Sequence, residues 1–108
     1  MGSVPPHLLL KESISVPGFD DVAVGSGVGG DYLVVELPGW SGPCWVCAPA
    51  SQRAIDCVRN GTASPWSVLH HSVTGTVDIY RTGVDGSLHQ SVVLCASLPQ
   101  APPARAAA

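Results

Sequence analysis

The apolar positions change their period twice along the chain. "YLVVEL" (Tyr32–Leu37) and the apolar run 43–48 have the length and β-branched content of strands. Ile14–Val16 and Val22–Val24 are shorter stretches of the same kind. After Ser51 the period becomes helical, with Ala54, Ile55 and Val58 on one face and Arg53, Asp56 and Arg59 on the other. Cys57 falls at the boundary, Ser51 reads as the N-cap, and Gly61 as the stop. The helix so defined spans 51–60. Ser64-Pro65 opens a second short helix, 65–71, with Trp66 and Leu69 inward.

Alternation returns in "GTVDIYRTGVDGSLHQSVVLCASL", a β-hairpin over 75–97 turning at Asp85-Gly86. A two- or four-residue loop there places Val77 and Ile79 on one face with Val92 and Leu94. Asp78, Tyr80, Ser91, Val93 and Cys95 then share the other. In "YLVVEL", the set Tyr32, Val34 and Glu36 reads as the solvated side. The pattern predicts an α+β fold: a small, mostly antiparallel sheet with one or two short helices packed on one face. Residues 1–12 read as an N-terminal arm, 13–98 as a single domain, and 99–108 as a Pro/Ala-rich tail.

Composition sharpens this picture. Charged residues make up 12% of the chain and apolar ones 45%. Typical domains carry about 25% charge. An apolar excess in 108 residues predicts a homo-oligomer or a protein partner covering some of the surface. The net charge of −3 and a single lysine, Lys11, argue against nucleic acid and against an anionic membrane surface. No apolar run approaches a membrane span. With no leader legible, a cytoplasmic, reducing location is expected and the cysteines read first as thiols.

Candidate chemistry gathers in "PGWSGPCWVCAP", Pro38–Pro49, which holds Trp40, Trp45 and the pair Cys44-x-x-Cys47. A dithiol at this spacing can cycle as a disulfide or, with Cys57, offer thiolates to zinc. On a strand, however, Cys44 and Cys47 point to opposite faces. "WSGPC" resembles the thioredoxin active-site motif W-C-G-P-C, with Ser41 in place of the first cysteine. "PGW" and "APASQRAIDCV" resemble segments of MbtH-like proteins. Neither resemblance brings a complete functional set. The former lacks the nucleophilic cysteine and a later cis-proline segment, the latter its tryptophan-containing central signature.

"GSGVGG", Gly25–Gly30, matches G-x-G-x-x-G, but a strand follows where a phosphate-binding helix is needed. It reads as a hairpin turn. The expectation drawn from all this is a small, non-catalytic interaction module with no required cofactor. It would act through an apolar surface carrying Trp40, Trp45, Trp66 and Tyr80. A redox or zinc protein centred on Cys44, Cys47 and Cys57 is the second expectation. A small-molecule pocket or small enzyme, with tryptophan walls and His70 or His71 as its polar group, is the third.

Overall fold

The computed structural model describes residues 4–17, 22–36, 44–70, 76–82 and 87–95. These form six strands and two short helices: β1 (Leu9–Ile14), β2 (Val22–Gly27), β3 (Gly30–Glu36), β4 (Cys44–Pro49), α1 (Gln52–Arg59), α2 (Pro65–His70), β5 (Thr76–Thr82) and β6 (Leu88–Leu94). The strands pair in sequence order, each antiparallel to the next, in one six-stranded sheet. The chain is mostly sheet, with both helices lying in the connection from β4 to β5.

Local chemistry explains each element. The hairpin from β2 to β3 turns on Val28-Gly29, and Gly27 pairs with Gly30. Gly29 and Gly30 have φ of +94° and +137°, a backbone that side chains oppose. The "GSGVGG" segment is therefore strand and turn. At α1 the Ser51 Oγ accepts from the Ala54 amide at 3.1 Å, and Gly61 ends the helix with φ of +79°. At α2 the Ser64 Oγ accepts from the Ser67 amide at 3.0 Å, beside Pro65 in the first turn. The sequence places four strands in the sheet, with Ile14–Val16 and Val22–Val24 as short candidates; the sheet also takes in Leu9–Ile14 and Val22–Gly27 from the N-terminal third.

The central strand β4 is buried from Cys44 to Ala48 without alternation, because both faces of the sheet are covered. Cys44, Val46 and Ala48 join a large cluster that includes Val24, Leu33, Val35 and Val77. The inward helix residues Ile55, Val58, Trp66 and Leu69 belong to that same cluster. Trp45 and Cys47 join a second, smaller cluster with Leu8, Ala23, Val34 and Tyr80, flanked by Val4 and Tyr32.

This second cluster overturns two expectations. Residues 1–12 are not simply an arm: Leu9–Leu10, Lys11 and Glu12 are strand, and Pro5 and Leu8 are buried. Nor is the Tyr32, Val34, Glu36 side of β3 solvated, since Val34 is buried and Tyr32 half-buried. Leu8 fits because β2 presents glycine on that face. A Cβ on Gly27 would lie 2.6 Å from Leu8 Cδ2, and one on Gly25 3.0 Å from Leu8 Cδ1.

A third expectation fails through register. Val77 pairs with Val93 and Ile79 with Ser91, so Val92 and Leu94 share a face with Asp78 and Thr76. The last pair, Thr82 with Leu88, leaves five residues between the strands rather than two or four. An odd loop moves every side chain of the second strand to the other face. The Asp85-Gly86 turn and the 99–108 tail lie outside the described residues.

Leu8 and Gly27 form a pair whose coupling can be measured. Leu8→Ala is expected to destabilise by about 2–4 kcal/mol in urea unfolding. Gly27→Ala should destabilise the unaltered chain, yet be neutral or stabilising by a few tenths to about 1 kcal/mol in the Leu8→Ala background. Equal effects in the two backgrounds would show that the glycine does not make room for the leucine.

Candidate functional site

The aromatic residues expected at an interaction surface are interior. Trp45, Trp66 and Tyr80 are 6%, 7% and 7% exposed. Trp45 sits opposite Glu36 and Tyr80 on its neighbouring strands, so the ring fills a row across the sheet. Trp66 lies in the larger cluster, edge-on to the His70 ring at 6.0 Å. Its indole N–H is buried without a hydrogen-bond partner. Trp40 and His71 fall outside the described residues.

The cysteines are separated in the way their strand dictates. Cys44 faces the larger cluster and Cys47 the smaller one, while Cys57 is half-buried on α1. Cys95 donates to the Leu69 carbonyl at 3.2 Å. No disulfide links Cys44, Cys47, Cys57 and Cys95. Cys44 and Cys47 thus cannot close a disulfide across the strand. Among the described residues, no group of three His, Cys, Asp or Glu side chains converges to hold a metal ion.

The second face carries the most perturbed groups. Asp78 lies directly across from Cys47, with Tyr80 two residues along on the same face. Burial pushes the Cys47 thiol well above the usual thiol range, and the negative charge of Asp78 adds to the effect. Burial also raises Tyr80, to about 12, with Asp78 contributing next. Cys44 is raised by burial, against the opposing pull of Arg81. The His7 ring tilts onto Tyr80 at 4.5 Å. On Cys47 and Tyr80 the causes all favour the protonated, unreactive form, and on Cys44 burial outweighs Arg81; this is the opposite of what a nucleophile needs.

Two open depressions mark the helix side. One, of about 460 Å³, lies between Ser15–Pro17 and the turn from Val58 to Ser64. The other, of about 290 Å³, is bordered by Arg53, Cys57 and Ser67. Neither of these two is lined by Trp45, Trp66 or His70.

What the structure does expose is the far edge of the sheet. Burial on the second face stops at β5, where Tyr80 is 7% exposed. On β6, Leu88, Val92 and Leu94 occupy that same face and are 39%, 66% and 63% exposed. Leu88–Leu94 contains no Asp, Glu, Lys or Arg. The opposite edge differs. β1 carries Lys11 and Glu12, and its register shifts between Leu10 and Glu12. Lys11 pairs with Asp31 at 2.9 Å, and Glu12 with Arg59. The sequence reading places Val92 and Leu94 on the face of Val77 and Ile79 and so does not single out this stripe. The missing signal was loop-length parity, which the sequence does not fix.

No family model, no curated protein and no solved structure matches this chain.

Thiol and phenol titrations check this geometry. A chromogenic disulfide should modify Cys57 first, and Cys44, Cys47 and Cys95 only as the chain unfolds. Because Cys47 and Tyr80 hold their protons more tightly when folded, their contribution to stability is complete below the unfolded values, about 8.5 and 10. It is lost as pH rises through the folded ones. Stability should therefore fall above about pH 9, and a tyrosine should ionise near pH 12 in alkaline difference spectra. Rapid labelling of Cys47 at neutral pH would contradict the buried placement.

Proposed function

We propose that this chain is a small non-catalytic interaction module whose binding surface is the β6 edge of its sheet. The single observation that supports it most is the alternating apolar stripe of Leu88, Val92 and Leu94 on an edge strand free of charge. An edge strand presents unpaired backbone N–H and C=O groups to any extended segment that can complete the ladder. Backbone pairing would supply affinity, and the stripe would supply side-chain contacts. Removing a Leu or Val side chain from water fully is worth about 1.5–3 kcal/mol. Val92 and Leu94 retain roughly two-thirds of their exposure, 66% and 63%, to lose on binding.

The tryptophans have a different part in this reading. Trp45 and Trp66 build the two cores, and we read α1 and α2 as the cover of the larger one. That leaves the second face to the N-terminal segment and, beyond β5, to the partner. A reducing, cytoplasmic setting, in which cysteines stay as thiols, is part of this reading. The raised thiol and phenol groups support a structural rather than a catalytic second face.

A photo-crosslinking side chain placed at Val92 in cells tests the surface. A discrete cross-linked species is expected from position 92 and none from Val28, the fully exposed tip of the β2–β3 hairpin. Equal yields at the two positions, or none at 92, would remove β6 as the binding surface.

A further inference from the structure

The proposal that β6 is the binding edge leaves its occupant unnamed, and the following rests on that reading. We infer that the occupant is a second copy of this chain. Two β6 strands pair antiparallel about a two-fold axis through Ser91 and join two six-stranded sheets into one.

The strand's own sequence carries the argument. A two-fold axis through Ser91 sets Leu88 opposite the second copy's position 94, Gln90 opposite 92, and Ser91 opposite itself. All seven residues of β6 are then paired. Leu88, Gln90, Val92 and Leu94 share one face, so the leucines and valines of both copies form one apolar band there. Moving the axis to Gln90 or Val92 leaves two residues unpaired at one end of each strand and takes a leucine out of the band.

Charge is decisive for a homotypic contact. Two-fold symmetry brings each charge near its own image, so any Lys or Glu at the centre of the strand would meet a like charge. β6 has none. The only titratable group within it is His89, on the other face and set opposite the second copy's position 93.

The other edge explains why the assembly stops at two. Head-to-tail pairing of β6 with β1 of the next copy would propagate as a filament. β1 is protected against it by an irregular register at Lys11 and by Lys11 and Glu12, which are tied to Asp31 and Arg59. Edge-to-edge pairing of one strand sits at the low end of specific interfaces, below about 1,200 Å². The association is therefore expected in the micromolar range.

Sedimentation velocity of the full chain from about 5 to about 500 µM, alongside two variants, tests this. Val92→Lys, at an exposed position, places like charges close across the axis; circular dichroism verifies its fold. Ser91→Cys in a Cys57→Ser background places two thiols on the axis, where antiparallel Cα atoms lie about 4.5–5.5 Å apart, within disulfide reach. We expect a monomer–dimer equilibrium that goes no further, loss of the dimer in Val92→Lys, and a disulfide-linked dimer of Ser91→Cys on mild oxidation. A monomer throughout the range overturns the second copy as occupant and leaves the β6 edge to the photo-crosslinking test. A dimer that survives Val92→Lys overturns the edge reading as well. Loss of the dimer in Val92→Lys without cross-linking of Ser91→Cys overturns the axis. Open-ended growth overturns the two-fold.

Discussion

An open antiparallel sheet ends in two strands that can pair only half of their backbone groups within the sheet, and this constraint orders the whole molecule. The meander β1 to β6 closes neither end on the other. At β1 the chain meets the constraint with a break in register, a lysine, a glutamate and two ion pairs. At β6 it offers Leu88, Val92 and Leu94 and no charge at all. The same backbone liability is thus guarded at one edge and left open at the other. That asymmetry points to an edge kept for binding.

Between the edges, the sheet is buried on both sides. The low charge of the chain, 12%, follows in large part from this. A strand such as β4, hidden from Cys44 to Ala48, has no polar side to spend charge on. Apolar residues that composition alone assigns to a partner are therefore consumed internally in two clusters. The large apolar side chains left exposed among the described residues are the β6 stripe on one edge, Leu9 and Leu10 at the start of the other edge strand, and Val28 at the β2–β3 turn. Two-sided burial also decides the chemistry. It separates Cys44 from Cys47, and it holds Cys47 and Tyr80 in their protonated forms.

Local signals were the legible part of the sequence. Ser51, Gly61 and Ser64-Pro65 act within one or two helical turns: both helices start where those residues dictate, and α1 ends before Gly61. Tyr32–Leu37 and 43–48 were recognisable as strands for the same reason. Non-local facts were not legible. Leu8 is buried only because Gly25 and Gly27, some twenty residues on, lack side chains on the face it crosses. The hidden side of β3 depends on that same segment. The orientation of β6 turned on whether its loop was odd or even, and five residues reversed every assignment on the strand. The sequence therefore places Val92 and Leu94 on the face opposite to the one they occupy, and it assigns Trp45 and Trp66, which are interior, to the surface.

The account stands most directly on the backbone of β6. Amide hydrogen exchange of Leu88–Leu94, resolved residue by residue by NMR at dilute and at concentrated protein, reads it without altering the chain. The amides that do not donate to β5 should exchange freely when dilute and become protected on concentration, while those of β1 stay unchanged. Exchange at β6 that is indifferent to concentration would contradict the claim that a second copy completes this edge.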